Sequence, residues 1–145
     1  MIVYVDCPDL LEYMAEKEDP MVVEGDLDRT HTNLALWLAR YCEISDCRAV
    51  LVFDDFPAGD VRTPSEQHGR VRVLNLPYGE EPLPGLAGPA NRSAGEERTL
   101  LVTDDHHLRE AVERSKATAL SSGQFVAKAR QSMGRQDEVD PDEPD

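Results

Sequence analysis

Ile2-Val3-Tyr4-Val5-Asp6 is a run of four apolar residues, all of them β-branched or aromatic, that ends abruptly in a carboxylate. A half-buried strand would alternate apolar with polar residues, so this run predicts a strand covered on both faces. An unpaired carboxylate is costly to bury, which places Asp6 where the strand meets solvent or a cation. The pattern recurs twice. Ala49-Val50-Leu51-Val52-Phe53 leads into Asp54-Asp55, and Leu100-Leu101-Val102-Thr103 leads into Asp104-Asp105. Three buried strands, each finishing in Asp, organise the reading of the whole chain.

A chain of 145 residues is long enough for one domain with a sizeable core. No apolar run reaches the roughly 18–20 residues of a membrane span. The core-like N-terminus lacks the basic start of a signal peptide. The expectation is therefore a cytoplasmic protein with no membrane association. Cys7, Cys42 and Cys47 are an odd number of cysteines, which argues against a disulfide framework and suits a reducing compartment. The CxxxxC spacing of Cys42 and Cys47 admits a zinc site, but buried free thiols are the preferred reading. Of the net charge of −14, the segment from Arg135 onward, six acids against one Arg, supplies −5 and leaves −9 on the body. So acidic a body lacks the basic footprint of a high-affinity nucleic-acid binder, yet it suits a cation-binding cleft.

Pro8 fits the first turn of a helix carrying Leu10, Leu11, Tyr13 and Met14. Residues 17–26 read as a loop, with Asp28 or Thr30 as the cap of the next helix. There Leu34, Trp37, Leu38 and Tyr41 follow i, i+3, i+4, i+7 spacing, an amphipathic stripe that would face the sheet, with Trp37 in the core. A loop is expected over 57–69. The alternating Arg70-Val71-Arg72-Val73-Leu74 predicts an edge strand. Residues 75–98, with four prolines and four glycines, read as a long irregular insertion. A helix from His107 to Ser115 should be capped by Asp104 or Asp105, followed by a short strand at Ala117–Leu120 and a last helix capped by Ser121 or Ser122. Residues 1–133 are thus expected to form the domain, and 134–145, acidic and without aromatics, a disordered tail.

Buried strands alternating with helices predict an α/β fold, an open, mostly parallel, Rossmann-like sheet with helices on both faces. Ligands in such sheets sit outside the carboxyl ends of the strands, where strand order reverses. If the first strand is central, Asp6, Asp54 and Asp105 converge there. Carboxylates brought together without bases repel one another, and a hard divalent cation, Mg²⁺ or Mn²⁺, would neutralise them. Such an ion can activate water for phosphodiester hydrolysis. Against this stands the plainer account in which aspartates after strands cap helices and shape turns.

Four stretches, in order, resemble one family. Val5-Asp6-Cys7-Pro8-Asp9-Leu10-Leu11 resembles the V-D-G-Y-N-L-L opening of NYN domains, the branch of the PIN-like nucleases that includes the YacP-like proteins. Val50-Leu51-Val52-Phe53-Asp54 resembles their V-V-F-D strand. Leu101-Val102-Thr103-Asp104-Asp105-His106-His107-Leu108 is similar to V-V-T-S-D-R-E-L, and Ala119-Leu120-Ser121-Ser122-Gly123-Gln124-Phe125 is similar to the closing strand and S-S-x-x-F helix start. The resemblance spans about residues 1–130. It implies strand order 3-2-1-4-5 and Mg²⁺- or Mn²⁺-dependent cleavage of RNA, with Asp6, Asp54 and Asp105 at the acidic positions. Asp104 replaces a Ser or Asn and would join these three as a metal ligand; Asp9 replaces an Asn and, with His106, would be accessory.

The chain also departs from the family. Gly-Tyr is Cys7-Pro8 here, and the helix bearing an A-D-x-x-I motif has no counterpart in the sequence of residues 75–98. Glu80-Glu81 or Glu96-Glu97 could supply a carboxylate in its place, and Arg70, Arg72, Arg92 and Arg98 could form a basic rim for RNA. Two functions follow as expectations: a metal-dependent endoribonuclease acting on RNA, or a catalytically degenerate PIN-like scaffold that binds a protein partner. A phosphoacceptor receiver domain fits poorly, because no Lys follows the last strand directly.

Overall fold

The computed structural model describes residues 1–56, 65–77, 83–113 and 116–138. Along the chain these form β1 (Ile2–Asp6), α1 (Cys7–Glu16), α2 (Leu27–Ser45), β2 (Arg48–Phe56), β3 (Ser65–His68), β4 (Val71–Pro77), α3 (Leu83–Ala94), β5 (Thr99–Val102), α4 (His106–Glu113), β6 (Thr118–Leu120) and α5 (Ser122–Glu138). The six strands make one sheet in the order β3-β4-β2-β1-β5-β6. All pairings are parallel except β3 with β4, which is antiparallel.

Parallel strands need helical crossovers, and these helices cover both faces. On one face Leu10, Met14, Leu34, Leu38 and Phe125 from α1, α2 and α5 bury Val3, Val5, Leu51 and Val102. On the other, Leu86, Ala90, Leu108 and Val112 from α3 and α4 bury Ile2, Tyr4, Val52 and Leu101. β1 is buried at all five positions, as an uninterrupted apolar run requires. Trp37 packs edge-to-face on Phe125, its ring centroid 6.3 Å away, and joins the first core as the helical stripe predicts.

The expected order 3-2-1-4-5 is present as β4-β2-β1-β5-β6. After β4 the chain crosses back over β1 to reach β5, so strand order reverses beside β1. The crossover through α3 accordingly lies on the opposite face from α1 and α2.

Several local expectations are corrected. Ser65–His68 lies in the expected loop yet forms the edge strand, which moves Val71–Pro77 to an interior position. Its polar residues carry no apolar signal; pairing with β4 makes it a strand. The insertion at 75–98 contains α3, whose Leu86, Ala90 and Ala94 are buried at helical spacing despite Pro89 within it. β2 continues to Phe56 with a register shift between Phe53 and Phe56, so Asp54 lies inside the strand. Asp26 caps α2 in place of Asp28 or Thr30, its carboxylate accepting from Arg29 N–H at 3.0 Å. α5 runs to Glu138, so residues 134–138 of the expected tail are helical. Residues 139–145 and Glu80–Glu81 lie outside the described residues.

Candidate active site at the carboxyl ends of the central strands

β1 passes into α1 with no intervening loop, and Asp6 is both the last strand residue and the helix N-cap. In that position an Asp side chain ordinarily accepts a hydrogen bond from the helix's first N–H groups. The Asp6 side chain makes no such bond. Its carboxylate is 5 % exposed, and its Oδ1 is buried without a hydrogen-bond partner. Buried polar atoms are nearly always satisfied, so an orphaned carboxylate oxygen marks a site with another purpose.

The other oxygen faces β5. Thr103, fully buried, places its Oγ1 3.0 Å from Asp6 Oδ2 and 3.0 Å from Asp9 Oδ2, and accepts from the Asp105 N–H at 3.1 Å. A hydroxyl owns one proton. That proton is shared between the two carboxylates or is given to one of them. Burial, then repulsion from Asp9, pushes the Asp6 carboxyl up to about 7, with the Thr103 hydrogen bond acting in the opposite direction. Burial and the Asp9 repulsion both disfavour charge on Asp6 as long as no cation balances it. The sequence reading missed Thr103; the only signal was a hydroxyl between an apolar strand and an Asp-Asp pair.

The remaining candidates are placed differently. Asp6 pairs in register with Val52, and Asp54 follows two residues later on β2, at the register shift near the same carboxyl edge of the sheet. Asp54 is half-buried there. Asp9, on the first turn of α1, accepts from the Asp104 N–H at 2.8 Å through the same Oδ2 that meets Thr103. Asp104 turns away and accepts from the Ser122 N–H at 2.8 Å, tying β5 to the start of α5. Asp105 caps α4, accepting from His107 N–H at 2.8 Å and Leu108 N–H at 3.2 Å. His106 is exposed, with Nε2 2.9 Å from Glu110 Oε1 one turn along. The fold thus brings Asp6, Asp9 and Thr103 into contact, leaves Asp54 at the same carboxyl edge of the sheet, and gives Asp104 and Asp105 structural hydrogen bonds.

Among the described residues, no three of His, Cys, Asp and Glu are grouped as a metal cage. The donor set around Asp6 is of another kind: hard oxygens, one of them orphaned, from two adjoining carboxylates. Mg²⁺ is commonly held by one or two carboxylates, with water and substrate phosphates completing its shell, and the residues present fit that mode. Cys7, Cys42 and Cys47 are buried thiols outside any disulfide. The arginines considered for a basic rim sit towards the other end of the strands. Arg70, just before β4, pairs with Asp46 at 2.7 Å, and Arg98 precedes β5. Glu97, at that same end, pairs with Arg48 and with the N-terminal ammonium, so it adds no carboxylate to the cluster.

No family model matches the chain, and no curated protein matches it in sequence. Among solved structures it is similar to a point mutant of Rae1 (YacP) from Bacillus subtilis, with TM-score 0.72 and 16 % identity over 95 % of this chain and 79 % of that one. It is likewise similar to Rae1 (YacP) from the same organism without the mutation, with TM-score 0.67 and 16 % identity over 95 % and 78 %. The chain has a YacP-like fold. That is the group which the four ordered motifs resemble.

Proposed function

We propose that this protein is a metal-dependent ribonuclease of the NYN/PIN-like type that hydrolyses RNA phosphodiesters at the carboxyl end of β1. The observation that carries this reading is the buried, orphaned Oδ1 of Asp6 at the point where strand order reverses. Asp6 would anchor Mg²⁺ or Mn²⁺, with Asp54 and Asp9 as flanking carboxylates. The ion would supply an activated water and stabilise the leaving oxygen. Thr103 holds the Asp6 and Asp9 carboxylates in fixed orientation. Asp104 and Asp105 act through position, by fixing the starts of α5 and α4 beside the cluster.

A second reading, a degenerate scaffold that binds a protein partner, is favoured by one observation. α3 carries no acidic residue, and the Asp105 carboxylate is already engaged as a cap. The deciding experiment is cleavage of single-stranded RNA with Mn²⁺ by the parent and by Asp6→Asn. Cleavage by the parent alone supports the nuclease; equal cleavage by both, or none by either, removes it.

A further inference from the structure

On the face of the sheet that carries α2, a cleft of about 350 Å³ opens between that helix and strands β2 and β4. Its lining differs from that of the carboxylate site. The His31 imidazole stacks on Phe53, with ring centroids 4.0 Å apart and planes 28° apart. Ala35, Leu36 and Val73 add apolar walls, and Asp28, Thr32, His68 and Asn75 bring polar groups to it. Among the described residues its lining holds no Lys or Arg, and Leu36 is 65 % exposed beside it. Phe53 directly precedes Asp54, so the cleft opens near the same carboxyl edge of the sheet as Asp6, but on the opposite face.

We propose that this cleft is a nucleobase subsite: it receives one base of a single-stranded RNA whose backbone runs over the carboxyl ends of β1 and β2. Three features point to a base. Its size falls in the range of small-molecule pockets, which combine apolar walls with a few polar groups. Stacking on an aromatic or imidazole ring is the sequence-tolerant way proteins hold unpaired bases. The amide of Asn75 and the carboxylate of Asp28, both already engaged within the protein, are of the group types that pair with base edges. The acidic Asp28 in the lining disfavours a phosphate there, which points recognition to the uncharged part of a nucleotide.

This subsite deepens the nuclease reading and rests on it for the choice of RNA, but its test is independent of cleavage. Amide correlation spectra of the full chain would be titrated with the four ribonucleosides at about 2 mM, a concentration suited to millimolar sites. At least one nucleoside is expected to shift the amides of His31, Phe53 and Asn75. His31→Ala should weaken that binding by about fivefold or more, the lower end of one stacking contact. Leu36→Ala, at an exposed helical position that leaves the fold intact, should weaken it less. Asp6→Asn should bind as well as the parent, so loss of cleavage leaves this inference standing. Absence of shifts at these three amides with all four nucleosides would overturn it. So would equal shifts from ribose 5-phosphate or from cyclohexanol, which would reveal a phosphate site or a non-selective apolar cleft.

Discussion

The ends of β1 and β5 look alike in sequence and differ in use. Each is a buried apolar strand running into an aspartate at a helix start. At the end of β5, Asp105 does what an N-cap residue ordinarily does and satisfies two N–H groups of α4. At the end of β1, Asp6 occupies the N-cap position of α1, makes no capping bond, and keeps one oxygen buried and unsatisfied. The carboxylate that stabilises its helix is committed to structure. The one that does not, its pKa raised by burial and by Asp9, is the candidate for function.

The largest test of this contrast is catalytic. Asp6→Asn should lower Mn²⁺-dependent RNA cleavage at least about a hundredfold with the circular dichroism spectrum unchanged. Asp105→Asn, which keeps a capping oxygen, should leave cleavage within about threefold of the parent. A hundredfold loss in Asp105→Asn would break the contrast and show Asp105 leaving the cap for the metal.

Next is thermal melting with Mn²⁺. An ion bound only by the folded state at a hundred times its dissociation constant stabilises by about 2.7 kcal/mol. The parent should melt higher with Mn²⁺, and Asp6→Asn should not respond.

The third test is pH. The folded protein holds the Asp6 proton up to about 7, whereas an unfolded carboxyl releases it near 3.8. Over that window the native state binds more protons, so stability without metal should fall as pH rises from about 4 to about 7. Asp6→Asn removes this slope, and at pH 8 it should be more stable than the metal-free parent by on the order of 1–3 kcal/mol in denaturant unfolding. Unchanged or lower stability would contradict the buried-proton account. The smallest effect is expected for Asp105→Ala, a lost cap worth about 1 kcal/mol.

What the sequence disclosed follows the same division. Strands covered on both faces are legible because burial demands apolar residues at every position, as in Val3, Val5, Leu51 and Val102. α3 was hidden because Pro84, Gly85, Gly88 and Pro89 read as breakers, although Leu86, Ala90 and Ala94 keep the spacing of a buried stripe. β3 was hidden because its strand state comes from its partner. In the site, the location of Asp6 was readable from strand order. The different fates of Asp6 and Asp105 were not, since a capping aspartate and an uncommitted one are the same letter in the same context. The decision lies in which N–H groups each carboxylate reaches, and Thr103, which joins Asp6 to Asp9, has no signature beyond its place after an apolar run.

The antiparallel strand Ser65–His68 has a consequence for how the molecule behaves among its own copies. Without it, β4, with its Val71, Val73 and Leu74, would be the last strand and would offer a row of unpaired backbone groups to any extended chain. Ser-Glu-Gln-His takes up that row over four residues and presents a short, polar outer edge; at the far side β6 is only three residues long. Short, polar margins are how sheets resist edge-to-edge aggregation. By that rule, capping β4 with a strand of only four residues leaves little backbone for another chain to pair with.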